Sequence, residues 1–486
     1  MSKKIVILGS GFSSLAAACY LAKEGNSVAI FEKNSSLGGR ARQLKRDGFT
    51  FDMGPSWYWM PDVFDRFFAD FDKKTSDYYS LEKLGPAYSV YFGVNDYITI
   101  EDTLEKIKQT FEQLEPGSAA KLQEFIDEAG KNYDVAIKEL VYRPGVSPLE
   151  LVTPATIKKI GSFFSTISKE VRKSFKNERL VEILEFPVLF LGAKATKTPA
   201  FYSFMNYADF GIGTFHPKNG MFSVVSAMVD LAKELGVQFN INSEVSRIRT
   251  EGNKAVGIVA NGKNIEADVV LSGADYHHTE TLIPKNLRQY SDQYWENKVF
   301  APSSLLFYVG FDKKIKNVNH HTLFFDVDFE KHARDIYDVP EWPDEPLFYA
   351  NFPSITDSSM APEGQEAGFF LIPLAPGLHD TPELRTNYFD KIIDRLEHLT
   401  NQQVKKNIIF KESFCVNDFI EEYHSYKGNA YGMANTLLQT AFLRPKLKSK
   451  KVENLYFTGQ LTVPGPGVPP SLISGKLVAG LITKKE

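Results

Sequence analysis

The chain has 486 residues, 43% of them hydrophobic and 24% charged, which excludes disorder, collagen-like repeats and a disulfide scaffold as descriptions of the whole. Lys plus Arg number 56 against 60 Asp plus Glu, a net charge of −4, so nothing global draws the chain to nucleic acid. Aromatics reach 13%, with 38 Phe, more than ordinary packing requires, and this raises the expectation of a large apolar ligand.

In chain order, residues 5–8 read as a short buried parallel strand, 13–23 as an Ala-rich helix and 27–31 as a second strand, a βαβ unit. The N-terminus passes from Met-Ser-Lys-Lys straight into that strand, without a signal-peptide pattern. Cys19 and Cys415 are far apart and lack metal-type spacing, so a reducing compartment without a structural disulfide is expected. No apolar run approaches the roughly 18 residues of a membrane span. The expectation is a cytoplasmic protein whose membrane contact is peripheral, at the inner face.

Residues 61–215 carry helical patterns at 103–114 and 119–137. Strand rhythm returns at 237–241, 245–250, 255–260 and 269–272, with a turn at Asn261-Gly262. The stretch 281–440 is mixed, with β-like runs at 304–309 and 369–373 and a helix at 384–399. The end reads as a strand at 455–458, a Gly/Pro-rich loop and a helix at 472–482. This distribution predicts an α/β fold of two interleaved domains. Segments 1–60, 216–280 and 441–486 form one Rossmann-like domain, and 61–215 with 281–440 form a mixed α+β domain.

The first strand leads into Gly9-Ser10-Gly11-Phe12-Ser13-Ser14, with Glu32 twenty-one residues past Gly11 at the end of the second strand. Gly9 and Gly11 permit a tight turn and close approach to a pyrophosphate, Ser13 opens a helix whose N-terminus favours anions, and Glu32, followed by Lys33, is placed to accept from a ribose hydroxyl. Ser14 stands where a third glycine is usual. Leu37-Gly38-Gly39-Arg40-Ala41-Arg42 follows, then Phe51-Asp52-Met53-Gly54-Pro55. Gly39 lets the chain lie flat along an extended cofactor, and Arg40 and Arg42 offer charge-assisted bonds to phosphate.

That order of motifs within 55 residues resembles the flavin amine oxidase and carotenoid desaturase superfamily, whose FAD-binding domain is of the GR2 type. The resemblance implies FAD along this stretch. The ending, Asn454-Leu455-Tyr456-Phe457-Thr458-Gly459-Gln460 with Pro464-Gly465-Pro466-Gly467-Val468-Pro469-Pro470, is similar to that of bacterial-type phytoene desaturases and their relatives, including hydroxycarotenoid 3,4-desaturases and carotenoid isomerases. His216 to Met221 and Val245 fit the same family's middle block, where Val245 meets adenine through its backbone. By this resemblance the last helix points its N-terminus at the isoalloxazine ring, Gly467 allows backbone contact, and Val468 and Pro469 pack on the ring. The departures are Ser14, Asn219 where glycine is common, and Gln460, whose partner stays open.

A desaturase of this kind passes hydride from a carbon–carbon single bond of a long polyene to flavin N5, in carotenoid biosynthesis, with oxygen or a quinone as final acceptor. Its substrate offers only apolar area, about 25 cal/mol per Å². The expected walls are Trp57 and Trp59, Phe67 and Phe71 one helix turn later, and Phe186 and Phe204 in a stretch that also holds Ile183, Phe190, Tyr202 and Tyr207. No catalytic base is evident. From 157 to 176 the apolar residues Ile157, Ile160, Phe163, Phe164, Ile167, Val171 and Phe175 share one arc, opposite Lys158, Lys159, Lys169, Arg172, Lys173 and Lys176, the pattern of a membrane-contact helix. His277-His278 and His320-His321 read as turn or surface residues, and no metal is expected. The alternatives are a redox-neutral carotenoid cis–trans isomerase, a flavin amine oxidase, and a non-catalytic prenyl-lipid escort like the Rab GDP-dissociation inhibitors.

Overall fold

Period-two alternation decides where the first strand sits. In the computed structural model, which describes residues 2–484 apart from 155, 157–160, 162 and 164, β1 (Lys4–Leu8) sends Ile5 and Ile7 into one core and Val6 and Leu8 into another. A strand covered on both faces must be apolar throughout, which is why the run carries no alternation of polarity. β1 joins β2 (Ser27–Phe31), β3 (Gln238–Asn240), β4 (Val269–Ser272) and β5 (Leu455–Phe457) in a parallel sheet of order β5-β4-β1-β2-β3.

Three helices cover the first face: α1 (Phe12–Lys23), α2 (Phe222–Glu234) and α3 (Val468–Thr483). α1 and α3 are so close that a Cβ on Gly475 would lie 2.5 Å from the Ser13 carbonyl oxygen and 2.7 Å from Ala16 Cβ. A three-stranded antiparallel sheet within residues 245–266 covers the other face. Its second hairpin turns through Asn261 and Gly262 at φ +48° and +72°, as a type I′ turn requires.

A second, seven-stranded sheet runs in the order Ile408–Phe414, Ser303–Phe311, Glu366–Leu374, Phe348–Asn351, His321–Phe324, Tyr88–Gly93 and Asp96–Ile100. Its neighbours are antiparallel except for His321–Phe324 beside Tyr88–Gly93. Leu305, Phe307 and Val309 pack under the helix Pro382–Leu399, while Leu306 and Tyr308 face the helical region built from residues 104–212.

The expected helix over 157–176 is not continuous. Residues 157–160, 162 and 164 lie outside the described residues, and beyond them the chain bends at Ser165. Thr166 bridges to Pro199, and its hydroxyl accepts from Lys169 N to start a fresh helix, Ile167–Ser174. Ile167, Val171 and Phe175, assigned to a lipid-facing arc, are buried, with Phe175 edge-on to Phe111 and Phe125. An apolar stripe of helical period records burial against something, and here the partner is the protein's own core. No helix among the described residues is long and apolar enough to cross a membrane.

Candidate active site

At the C-terminal end of β1 the chain turns through Gly9 at φ +82°, a conformation that glycine adopts without strain. Gly11 differs: its φ is −67° and nothing lies within 4 Å of the point a Cβ would occupy. Neither backbone nor packing asks for glycine there. Both residues and Ser13 line a cavity of about 810 Å³ that begins at the sheet edge, a usual ligand position in open α/β sheets.

Glu32 and Lys33 line the same end. The buried Glu32 carboxylate accepts from Ser10 N at 2.9 Å, Ser10 Oγ at 2.7 Å and Asn34 N at 2.8 Å, so it is held rigidly by the turn it faces. Gly39 lies against Gly11, where a Cβ would come within 3.2 Å of Gly11 Cα, and a Cβ on Gly54 would lie 2.3 Å from the Arg40 carbonyl oxygen. Gly39, Arg40, Gly54, Pro55 and Val245 all line the cavity, as do Gly459, Gln460, Gly467, Val468 and Pro469 from the C-terminal loop.

Arg40 is half-buried below the Tyr423 ring; its Nη2 donates to Ser425 Oγ at 2.9 Å and its buried Nε has no partner. Burial lowers its pKa, offset by Asp275. Turning the Gln460 amide places its oxygen 3.1 Å from Arg40 Nη2, which links the two ends of the sequence across the site. Arg42 instead pairs with Glu422 at 3.0 Å and does not line the cavity.

Ser14 is a correction. It faces β4 rather than the cavity, and its Oγ occupies the space a Cβ on Gly273 would need, 2.0 Å away. The small residue demanded by close helix–strand packing has moved from the helix to the strand end. Asn219, the second departure, adopts φ +68°, a left-handed conformation asparagine tolerates.

Beyond Pro55 the cavity becomes aromatic. Trp57, Trp59, Phe186 and Phe204 line it, together with Tyr202. Trp57 stacks on His321 at 4.0 Å, and Trp59 Nε1 donates to Thr214 Oγ1 at 2.8 Å. Thr214 in turn donates to Asp209, which also accepts from Tyr88 OH at 2.8 Å; burial pushes the Asp209 carboxyl up to about 7. Phe67 and Phe71 are not in this wall. Both pack round Tyr20 of α1, at 5.8 and 4.9 Å, in the core under the parallel sheet. Ile183 is buried core, Tyr207 packs on Tyr133, and the Phe190 side chain lies outside the described residues.

His320 and His321, read as surface residues, are buried; His321 Nδ1 bonds the Tyr349 hydroxyl at 2.7 Å. His278 lines the cavity. No His, Cys, Asp and Glu group arranged to hold a metal occurs among the described residues. Sequence reasoning gave no role to Ser10, Tyr349, Asn435 or Arg444. Only Ser10 sat inside a motif; the others come from segments that folding alone brings to the site.

At its outer end the cavity passes Val141, Arg143 and Gly145 and the facing segment Ala441 to Leu443. A Cβ on Gly145 would lie 3.4 Å from the Ala441 carbonyl oxygen and from Phe442 Cα, and Lys446 Nζ donates to the Gly145 carbonyl at 2.8 Å. Between the lining residues Gly145, Ser147 and Glu150, Val146 is 65% and Leu149 76% exposed, and Leu438, three residues before Ala441, is 76% exposed.

The chain matches the flavin-containing amine oxidoreductase family over residues 12–483. It is 40% identical to a carotenoid 3,4-desaturase of Haloarcula japonica over 98% of this chain and 97% of that protein. It is 31% identical to a 4,4'-diapophytoene desaturase (4,4'-diaponeurosporene-forming) of Staphylococcus haemolyticus, over 98% and 97%. An oxidoreductase from Methanosarcina mazei shares the fold, with a TM-score of 0.63 at 17% identity over 99% of this chain and all of that one. Glycine turns against an acidic strand end, opening into an apolar corridor, define an FAD-dependent oxidoreductase. The chain belongs to the flavin-containing amine oxidoreductase family and, within it, to the carotenoid desaturases.

The residues present fit FAD. Open space stands in front of Gly11, and Arg40 keeps a buried, unpartnered Nε beside it in the cavity wall, the features such a ligand would use.

Proposed function

We propose that this enzyme desaturates a long carotenoid, with the 3,4-bond of a hydroxylated or monocyclic carotene as the favoured site. One observation carries the reading: a single cavity runs from the glycine turns of the parallel sheet into a corridor walled by Trp57, Trp59, Phe186 and Phe204. The 40% identity to a carotenoid 3,4-desaturase supports the choice of bond.

Bound FAD supplies the two-electron acceptor. Gly9, Gly11 and the N-terminus of α1 would hold the pyrophosphate, Glu32 the ribose and Val245 the adenine. Arg40, half-buried in the cavity wall, would contribute a cation to the phosphates. The Gly467 turn and the N-terminus of α3 would face the ring, where a positive helix end would favour its electron-rich reduced state. Trp57 and Trp59 are held by His321 and Thr214, so the wall beside the reacting carbons stays rigid and dry. Segments 1–60, 216–280 and 441–486 act as the FAD-binding body, a division supported by the origin of all five parallel strands. Residues 61–215 and 281–440 form the substrate body.

The substrate enters from a membrane surface at the inner face, past the lip of Gly145, Ser147, Glu150 and Ala441 to Leu443; the exposure of Val146 and Leu149, interleaved in sequence with those lining residues, supports this over the 157–176 segment. Oxygen or a membrane quinone takes the electrons away. Anaerobic mixing of the flavoprotein with a panel of carotenes tests the reading. Flavin bleaching with a product lighter by two hydrogens is expected. An isomer of unchanged mass points to the isomerase, and binding without bleaching to the escort.

A further inference from the structure

Arg444 is 1% exposed and makes no ion pair among the described residues. Its partners are neutral oxygens only: Nη2 donates to the Met433 carbonyl at 2.7 Å and to Asn435 Oδ1, Nη1 donates to the Gln460 carbonyl at 3.2 Å, and Nε is unpartnered. Burial pulls its pKa down to about 10, so the guanidinium still carries its charge at neutral pH. A buried cation without a counter-ion is costly unless the functional state brings a negative charge to it.

The surroundings say where that charge arises. Asn435, Gln460, Pro464 and Pro466 all line the cavity, and a Cβ on Gly465 would lie 2.9 Å from Asn435 Oδ1 and 3.1 Å from Arg444 Nη2. Arg444 therefore stands one residue layer behind the loop that carries the ring contact. Because Arg444 holds Oδ1 of the buried Asn435, the amide nitrogen is turned away from the guanidinium, and no protein acceptor takes its hydrogens among the described residues. A donor backed by a fixed cation suits the pyrimidine edge of a flavin, where electron density rises on reduction.

We propose that Arg444 and Asn435 form an electrostatic anchor for the flavin, Arg444 favouring the reduced state and Asn435 donating its amide N–H to the ring edge. The inference rests on the FAD reading above. Arg444 acts through its neighbours, as a positioning residue.

The test measures the midpoint potential of FAD in purified holoenzyme by dye equilibration, together with sulfite affinity, for wild type, Arg444→Gln, Arg444→Lys and Asn435→Asp. Arg444→Gln is expected to disfavour two-electron reduction by at least tenfold, about 30 mV, and to weaken sulfite binding comparably. Arg444→Lys keeps the charge and should recover most of the potential. Asn435→Asp sets a carboxylate against Arg444, cancels its field without removing it, and should also lower the potential; it decides the matter if Arg444→Gln fails to fold. Unchanged potentials in FAD-loaded variants overturn the proposal, as does a shift confined to the KM for carotene. Loss of FAD from both Arg444→Gln and Asn435→Asp assigns the pair to binding and overturns it as well. A wild-type protein that takes up no FAD would instead sink the cofactor reading itself.

Discussion

The two ends of the cavity are built by different means. At the nucleotide end, recognition rests on backbone: Gly9 turns, Gly11 leaves space, and Glu32 is held by Ser10 and Asn34 within one βαβ unit. At the corridor end it rests on side chains from dispersed segments, with Trp57 set by His321 and Trp59 by Thr214, residues 264 and 155 positions away. The first end tolerates almost no added atom, while the second exchanges apolar groups at modest cost, since hydrophobic enclosure is non-directional.

The sharpest way to break this contrast is Gly11→Val. With φ at −67° and open space before it, the FAD-free variant should keep the circular dichroism and melting temperature of FAD-free wild type while FAD affinity falls by about 100-fold or more. A variant that unfolds would show that Gly11 serves the fold rather than the ligand.

Next in size is the pH response beneath the corridor. Asp209 is held near 7 against an ordinary 3.8, so between those values the folded state keeps a proton that the unfolded state has lost. Stability should therefore fall as pH rises from about 4 to about 7 and level off above, by up to about 4 kcal/mol from this group. Asp209→Asn should flatten that slope and raise the melting temperature at pH 8 relative to wild type; a slope unchanged by the substitution would remove Asp209 as its source.

The lip comes third. Val146→Asp, Leu149→Asp and Leu438→Asp together should reduce flotation with phosphatidylcholine–phosphatidylglycerol vesicles by roughly thirtyfold, about 2 kcal/mol of lost apolar burial, without changing bound FAD. Neutralising Lys169 and Lys173 should change flotation much less, and the reverse result would restore the 157–176 segment as the docking element.

The smallest effect separates two phenylalanines that look alike in sequence. Phe204→Leu and Phe67→Leu should each cost about 1 kcal/mol in denaturant unfolding. Only Phe204→Leu should move the KM for carotene, because only Phe204 lines the cavity.

What could be read in advance follows the range of the interactions. The βαβ unit, Glu32 and the Asn261-Gly262 turn are dictated by neighbours a few residues away, so their spacing carries them. Phe67 and Phe71 were misplaced in the wall because an aromatic cluster next to Trp57 looks the same whether it packs on α1 or on a ligand. Ile167, Val171 and Phe175 of the 157–176 arc face the protein's own core for a similar reason, since periodicity reports an apolar partner without saying whether that partner is lipid or protein. His321 was assigned to the surface because nothing local announces a ring stacked on Trp57.

By itself the sequence determined the parallel sheet's first unit, the flavin motifs and the family, all of which depend on backbone conformation and short spacings. Only the tertiary structure decided which aromatics face the corridor, that Ser14 and Gly273 exchange roles, and that Arg444 lies unpaired behind the Pro-Gly loop. Those outcomes come from contacts between segments hundreds of residues apart, where burial and desolvation, rather than local propensity, fix each side chain's role.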